Sequence, residues 1–184
     1  MSKSATAWAP GGRARRMGVV ERHDTVPLQV RVHDYTDAVV AELVEEVQGE
    51  YVVRYGDRDR TPVDPDEFRL PCGFVLVGSC GGVAVGSVAI RAAAEPGAAE
   101  MKRLYVRANR RRRGLARLLL HAAEDRARAA GYTRIVLETG IRQPEAIALY
   151  ETEGYTPVDG FGYYADMPSS RYFGLDLHPA RRPS

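Results

Sequence analysis

The stretch Leu104-Tyr105-Val106-Arg107-Ala108-Asn109-Arg110-Arg111-Arg112-Arg113-Gly114-Leu115-Ala116-Arg117 decides how this chain is read. Its apolar start reads as the end of a strand, and its polar middle reads as a loop. Gly114 then opens a helix that runs to Ala130, with Leu115, Leu118, Leu119 and Ala122 on one face and Gly131 as its stop. A strand that ends in a loop and feeds a helix gathers backbone amides and the positive end of the helix dipole at one point. That arrangement binds phosphate oxygens. Gly114 and Ala116 are small enough for a diphosphate to approach the main chain, and Arg111, Arg112 and Arg113 add charge for a further phosphate. Neither Gly-x-x-x-x-Gly-Lys-Ser/Thr nor the three-glycine dinucleotide fingerprint occurs, so the loop belongs to neither of those nucleotide-binding classes.

Upstream, Pro27 to Val32 alternates with period two and predicts a half-buried strand. Val40, Leu43, Val44, Val47 and Tyr51 recur at helical spacing, which predicts an amphipathic helix from Thr36 to Val53. Residues 56–66, rich in Asp and Pro, read as an exposed loop. Phe74 to Gly78 and Val83 to Arg91 read as strands joined by a Gly81-Gly82 turn, the kind that closes antiparallel hairpins. Glu100 to Arg107 is a fourth strand, after a loop at Pro96-Gly97. Downstream come a strand over Arg134 to Glu138 and a helix opened by Pro144 and closed by Gly154. Strands over Tyr155 to Val158 and Arg171 to Leu177 flank an aromatic loop at 160–170. The element order is that of one α/β domain around a single mixed sheet.

The composition bounds the alternatives. At 184 residues the chain is long enough for one ordinary domain and short for two. Hydrophobic residues at 45% and charged residues at 27% give the balance of a soluble globular protein, which excludes disordered, collagen-like and coiled-coil classes. No apolar run reaches the ~18 residues of a membrane span. The net charge of +2 supplies no global pull toward nucleic acid or membrane. The arginine run from Arg110 to Arg113 suits nucleic acid only with a wider basic face or stacking aromatics, which the sequence does not supply. His23, His33, His121 and His178 fall in no metal spacing, and Cys72 and Cys80 make no CxxC pair, so no metal is expected. The two cysteines are expected to be buried free thiols. Residues 1–17 have no apolar periodicity and no secretory signal; they are expected to form a disordered basic tail ahead of a domain over 18–178. Residues 179–184 are expected to be a C-terminal tail, and the protein to be cytoplasmic.

Arg111-x-x-Gly114-x-Ala116 matches the phosphate motif Gln/Arg-x-x-Gly-x-Gly/Ala of the GNAT superfamily of acyl-CoA-dependent N-acetyltransferases. Lys102-Arg103-Leu104-Tyr105-Val106, Leu137-Glu138-Thr139, and Ala146 to Glu151 with Gly154-Tyr155 also resemble it, in the right order, over about residues 73–177. The resemblance implies a mixed, mostly antiparallel sheet of about seven strands flanked by helices, with a bulged fourth strand splayed from the fifth. It implies acetyl-CoA as co-substrate, with its diphosphate on Arg111 to Arg117 and its pantetheine arm paired like an added strand along Leu104, Tyr105 and Val106. Met101, Leu104 and Val106 do not alternate strictly, as a bulge requires, although an ordinary half-buried strand explains them nearly as well. Where the family usually has an Asn that bonds the pantetheine, this chain has Gln143, which either reaches the same atoms or caps the helix.

Family catalysis is direct attack of an amine on the thioester. A lysine-like amine has a pKa near ~10.4, so a base must take its proton. Glu100 matches the family's strand-four glutamate, and Glu138 on the next strand is the second candidate. Tyr150 matches the tyrosine that protonates the departing thiolate. The acidic run Asp57, Asp59, Asp64, Asp66 and Glu67, with Phe161, Tyr163, Tyr164 and Asp166, is expected to roof the acceptor site and to select a small cationic amine, so a small amine or an amino-acid-like metabolite is the acceptor expected. A protein or peptide acceptor, and an inactive acyl-CoA-binding regulatory module, stand as alternatives. A homodimer is the expectation for the superfamily.

Overall fold

A computed structural model of the chain describes residues 27–177. The tails expected at 1–17 and 179–184, and both ends of the expected 18–178 domain, lie outside the described residues, as do His23 and His178.

Gly81 and Gly82 both take positive φ, 59° and 79°, which turns the chain straight back on itself between β2 (Phe74–Cys80) and β3 (Val83–Ala92). β1 (Gln29–His33) flanks β2, and β4 (Ala98–Val106) flanks β3, all antiparallel. β5 (Arg134–Gly140) lies parallel to β4, and β7 (Ser170–Asp176) and the two-residue β6 (Thr156–Pro157) complete the sheet in the order β1-β2-β3-β4-β5-β7-β6. The mixed, mostly antiparallel seven-stranded architecture is the one the sequence leads one to expect.

Helices cover both faces. α2 (Leu115–Ala129) and α3 (Pro144–Thr152) lie on one side, where Leu119, Leu120 and Tyr150 join Phe74, Leu76, Ile90, Met101 and Leu137 in a core. α1 (Ala38–Tyr55) lies on the other, setting Val40, Leu43 and Val47 over Val75, Val77 and Ala89. Residues 74–77 read as an unbroken apolar run because alternate side chains enter two different cores.

The spacing of Met101, Leu104 and Val106 has a visible cause. All three face the α2 core, although three residues separate the first pair and two the second. Arg103, at φ 55°, is the extra residue. Ser87 pairs with Tyr105 and Ala89 with Lys102, so Val88 alone stands opposite two residues of β4. This is a β-bulge, as expected.

α1 carries Glu42, Glu46 and Glu50 four residues apart on one face, an arrangement that repels itself in an isolated helix. The chain beyond β4 supplies the compensation. Arg107 meets Glu42 and Glu46, the latter at 2.8 Å, and Arg111 meets Glu50. α1 is thereby fastened to the loop that precedes α2.

Several expectations shift. α1 begins at Ala38 and reaches Tyr55, where Gly56 at φ 84° closes it, and β6 keeps only two of its four expected residues. Pro65–Phe68 forms a short 3-10 turn inside the expected exposed loop, burying Phe68 under α1. Cys72 and Cys80 are free, but Cys72 is exposed in the turn before β2 and Cys80 is half-buried at the hairpin rim, so neither is a core thiol.

Candidate active site

β4 and β5 pair only from Ala98 to Met101 against Arg134 to Leu137. Beyond Met101 the bulge turns β4 aside and the strands part. The edge of residues 102–106 that faces β5 is therefore left without a strand partner, open to an extended ligand. One acceptor there is already used, since the Val106 carbonyl takes a hydrogen bond from Arg111 Nε at 2.8 Å.

The loop below this slot ends in two left-handed residues, Arg112 at φ 63° and Gly114 at φ 76°. Gly114 is the N-cap of α2 and offers no capping side chain, and the first turn contains no acid. The amides of Leu115, Ala116 and Arg117 thus point out of a positive helix end with no side chain capping them. A Cβ on Gly114 would meet nothing within 4 Å, so its backbone angle is what calls for glycine. Arg112 and Arg113 are exposed beside the loop. Arg117 is held by Glu153 at 2.5 Å, and Leu115 is buried in the core. Arg111 is placed differently from the expectation. Its guanidinium turns back to Glu50 and lies 5.6 Å from the centroid of the Tyr105 ring, so its main chain, not its charge, faces the loop.

The two candidate bases separate clearly. Glu100 is buried between Arg91 at 2.8 Å and Lys102 at 3.0 Å, and it lines a cavity of about 880 Å³ bounded also by Glu95, Arg134 and Phe161. Glu138 lines another cavity, of about 710 Å³, at the mouth of the slot. Its one hydrogen bond among the described residues comes from Ser170 Oγ at 2.8 Å, and burial raises its pKa against the opposing pull of that bond and of Lys102. Tyr150 is buried against Tyr155 and Phe173, with ring centroids 5.6 and 6.0 Å away, and its hydroxyl makes no hydrogen bond among the described residues. Burial, and after it the charge of Glu138, pushes its pKa well above the ordinary tyrosine value. Gln143 occupies the N-cap position of α3 without capping it; its Nε2 donates to Tyr55 Oη at 3.3 Å instead.

The Glu138 cavity brings in residues that the sequence reading left out. Tyr51 and Tyr55 come from α1, Lys102 and Arg103 from the bulge, and Ser170 from the start of β7. The four-residue spacing of Tyr51 and Tyr55 on the apolar face of α1 was the available signal. The acidic roof is only partly assembled. Asp57, Asp59, Tyr163 and Tyr164 do meet here, with Tyr164 Oη donating to Asp59 at 3.3 Å. Asp64 instead accepts from the Asp66 amide to cap the 3-10 turn, Asp66 pairs with Arg69, and Glu67 pairs with Arg91 at 2.6 Å. Phe161 lies at the Glu100 cavity. Among the described residues no His, Cys, Asp or Glu cluster has the form of a metal site, and no helix is long and apolar enough to cross a membrane. His33 pairs with Asp37 and His121 with Glu153.

An unpaired strand edge ahead of an uncapped helix end can take an extended, anionic ligand, and comparison with known proteins gives the class. Residues 40–155 match the model of the Acetyltransferase (GNAT) family, and the chain belongs to that family. It is 36% identical over 141 residues to an IAA acetyltransferase of Azospirillum brasilense, covering 77% of this chain and 92% of that one. A Klebsiella pneumoniae structure described as an acyl-CoA N-acyltransferase superposes with a TM-score of 0.69 at 30% identity, covering 82% of this chain and 98% of that one. A Salmonella typhimurium acetyltransferase solved with acetyl-CoA shares the fold, with a TM-score of 0.60 at 22% identity over 85% of this chain and 98% of its own. The protein is thus a GNAT-type acyltransferase.

Proposed function

We propose that this protein transfers the acetyl group of acetyl-CoA to the primary amine of a small molecule by direct attack. One observation carries the reading: the bulge at Arg103 parts β4 from β5 ahead of the uncapped start of α2, and the cavity at that opening is lined by the half-buried Glu138. The diphosphate would rest on the amides of residues 111–117, and the pantetheine arm would pair along Leu104, Tyr105 and Val106. Glu138, directly or through a water, takes the proton that the ammonium must lose. The amine nitrogen then bonds to the thioester carbonyl carbon, the carbon–sulfur bond breaks, Tyr150 gives its proton to the departing thiolate, and the second proton that the nitrogen sheds, directly or through water, restores the Tyr150 hydroxyl. Glu100 is read here as a positioning residue that holds Lys102 near Glu138.

The test is calorimetric titration of acetyl-CoA followed by thiol release against an amine panel. Binding with turnover on a free amine supports the reading. Binding with turnover only on peptides favours a protein acceptor, and binding without turnover favours an acyl-CoA-sensing module. Gly114→Glu is expected to abolish acetyl-CoA binding, because it places bulk, negative charge and an unfavourable φ where the diphosphate would sit.

A further inference from the structure

We propose that the acceptor is an amine that also carries a carboxylate, and that Arg103 is the residue that reads it. The inference rests on the acetyl-transfer reading of the same site and narrows it to a substrate class.

Several charges around the Glu138 cavity are already paired. Arg58 is held by Glu45 at 2.7 Å, Arg60 by Asp57, and Lys102 by Glu100 at 3.0 Å. Asp59 accepts from the Thr61 amide at 2.9 Å, from the Thr61 hydroxyl at 2.7 Å and from Tyr164. What remains, without an ion pair among the described residues, is two carboxylates, Glu138 and the hydrogen-bonded Asp59, and two cations, Arg103 and Arg142. A purely cationic amine would find partners in Glu138 and Asp59 but would leave both guanidinium groups without one. An amine with its own carboxylate would satisfy both signs.

Of the two cations, Arg103 is the built one. Arg142 is exposed and donates to the Arg54 carbonyl at 2.6 Å. Arg103 is half-buried and is the additional residue of the bulge, at φ 55°. That conformation is cheap for Gly or Asn and costly for most side chains, so an arginine there holds a strained position at the cavity wall. Its Nη1 donates to the Tyr35 hydroxyl, and its guanidinium carbon lies 5.8 Å from the centroid of that ring. Tyr35 in turn stacks on the buried Phe68 with centroids 4.8 Å apart. The guanidinium is held from behind by one nitrogen, which leaves further donors of its fork for a planar carboxylate. Tyr51 and Tyr163 give the same cavity aromatic surface for the body of such a molecule.

The test is a set of matched acceptors in the thiol-release assay: each standard amino acid beside its carboxamide, and short ω-amino acids beside alkylamines of equal length. The expected result is a preference of about ten- to hundredfold in kcat/KM for at least one acid over its neutral partner, expressed mainly in KM. Arg103→Gln should remove that preference, and Arg103→Lys should retain part of it. Tyr35→Phe, which leaves the charge but loosens its support, should weaken it less than Arg103→Gln. Neutral partners used as well as the acids would overturn the inference alone, as would an Arg103→Gln variant that lowers both members of a pair equally. Acetyl-CoA binding with no amine of either kind used would overturn the acetyl-transfer reading and this inference with it. Melting temperature and acetyl-CoA affinity of each variant separate loss of recognition from loss of fold, and the wild-type preference stands as a measurement that needs no variant.

Discussion

Glu100 and Glu138 sit on neighbouring strands and the same face of the sheet, yet their surroundings suit opposite tasks. Arg91 and Lys102 clamp the first, while the second has a serine hydroxyl as its hydrogen-bond donor and the charges of Lys102, Asp59 and Glu100 around it. Burial holds the Glu138 carboxyl above its usual value, so its basic form is lost as pH falls through that raised value rather than near the pKa of a free carboxylate. The acidic limb of kcat/KM is therefore expected to lie at higher pH than a free glutamate would place it. In Glu138→Gln that limb should vanish and kcat should drop about 10²–10⁴-fold; stopped-time thiol release with a weakly basic amine reads both. Tyr150, pushed up by burial, stays protonated across the working range and imposes no alkaline limb of its own. Tyr150→Phe should lower kcat by a similar order while leaving acetyl-CoA affinity, measured by calorimetry, nearly unchanged.

The loop before α2, its helix and the bulge were legible because each leaves a local mark: an apolar start, small residues at a helix entry, and a broken alternation at Met101, Leu104 and Val106. The different surroundings of Glu100 and Glu138 were not, because they depend on Arg91, which antiparallel pairing brings opposite Glu100 from the preceding strand. The division of the acidic loop is an intermediate case. Asp64 followed by Pro65 is a capping signal that assigns Asp64 to a turn, but nothing local says that Asp66 and Glu67 find Arg69 and Arg91. At this scale the contact between α1 and β5 makes a prediction. A Cβ on Gly140 would fall 2.0 Å from Tyr55 Oη, so Gly140→Ala must displace that ring from the cavity wall. The expected cost is about 1–3 kcal/mol, read from denaturant midpoints, with part recovered when Tyr55→Ala is added.

Across the molecule, two antiparallel groups of strands, β1 to β4 and β5 to β7, are joined by four residue pairs of parallel sheet. A ligand that completes this junction and engages α2 would bind only the folded chain. At a concentration of 100 Kd, acetyl-CoA should add ~2.7 kcal/mol of stability. For a domain of this size that is a rise in Tm of roughly 5–11 °C, measurable by calorimetric scanning. The Gly114→Glu variant should show no such rise.

The bare edges of β4 and β5 are also turned toward each other. Most sheets carry their unbonded backbone on the rim, where a strand from another molecule can attach, and must shield it there with charge, proline or a cover. This protein places a stretch of unbonded backbone at the centre of its sheet, flanked on both sides by its own strands. A stray chain from a second molecule would have to thread the interior of the fold rather than dock along a rim. The fold can therefore keep its most adhesive surface open to a thin, extended molecule while withholding it from strands of its own copies.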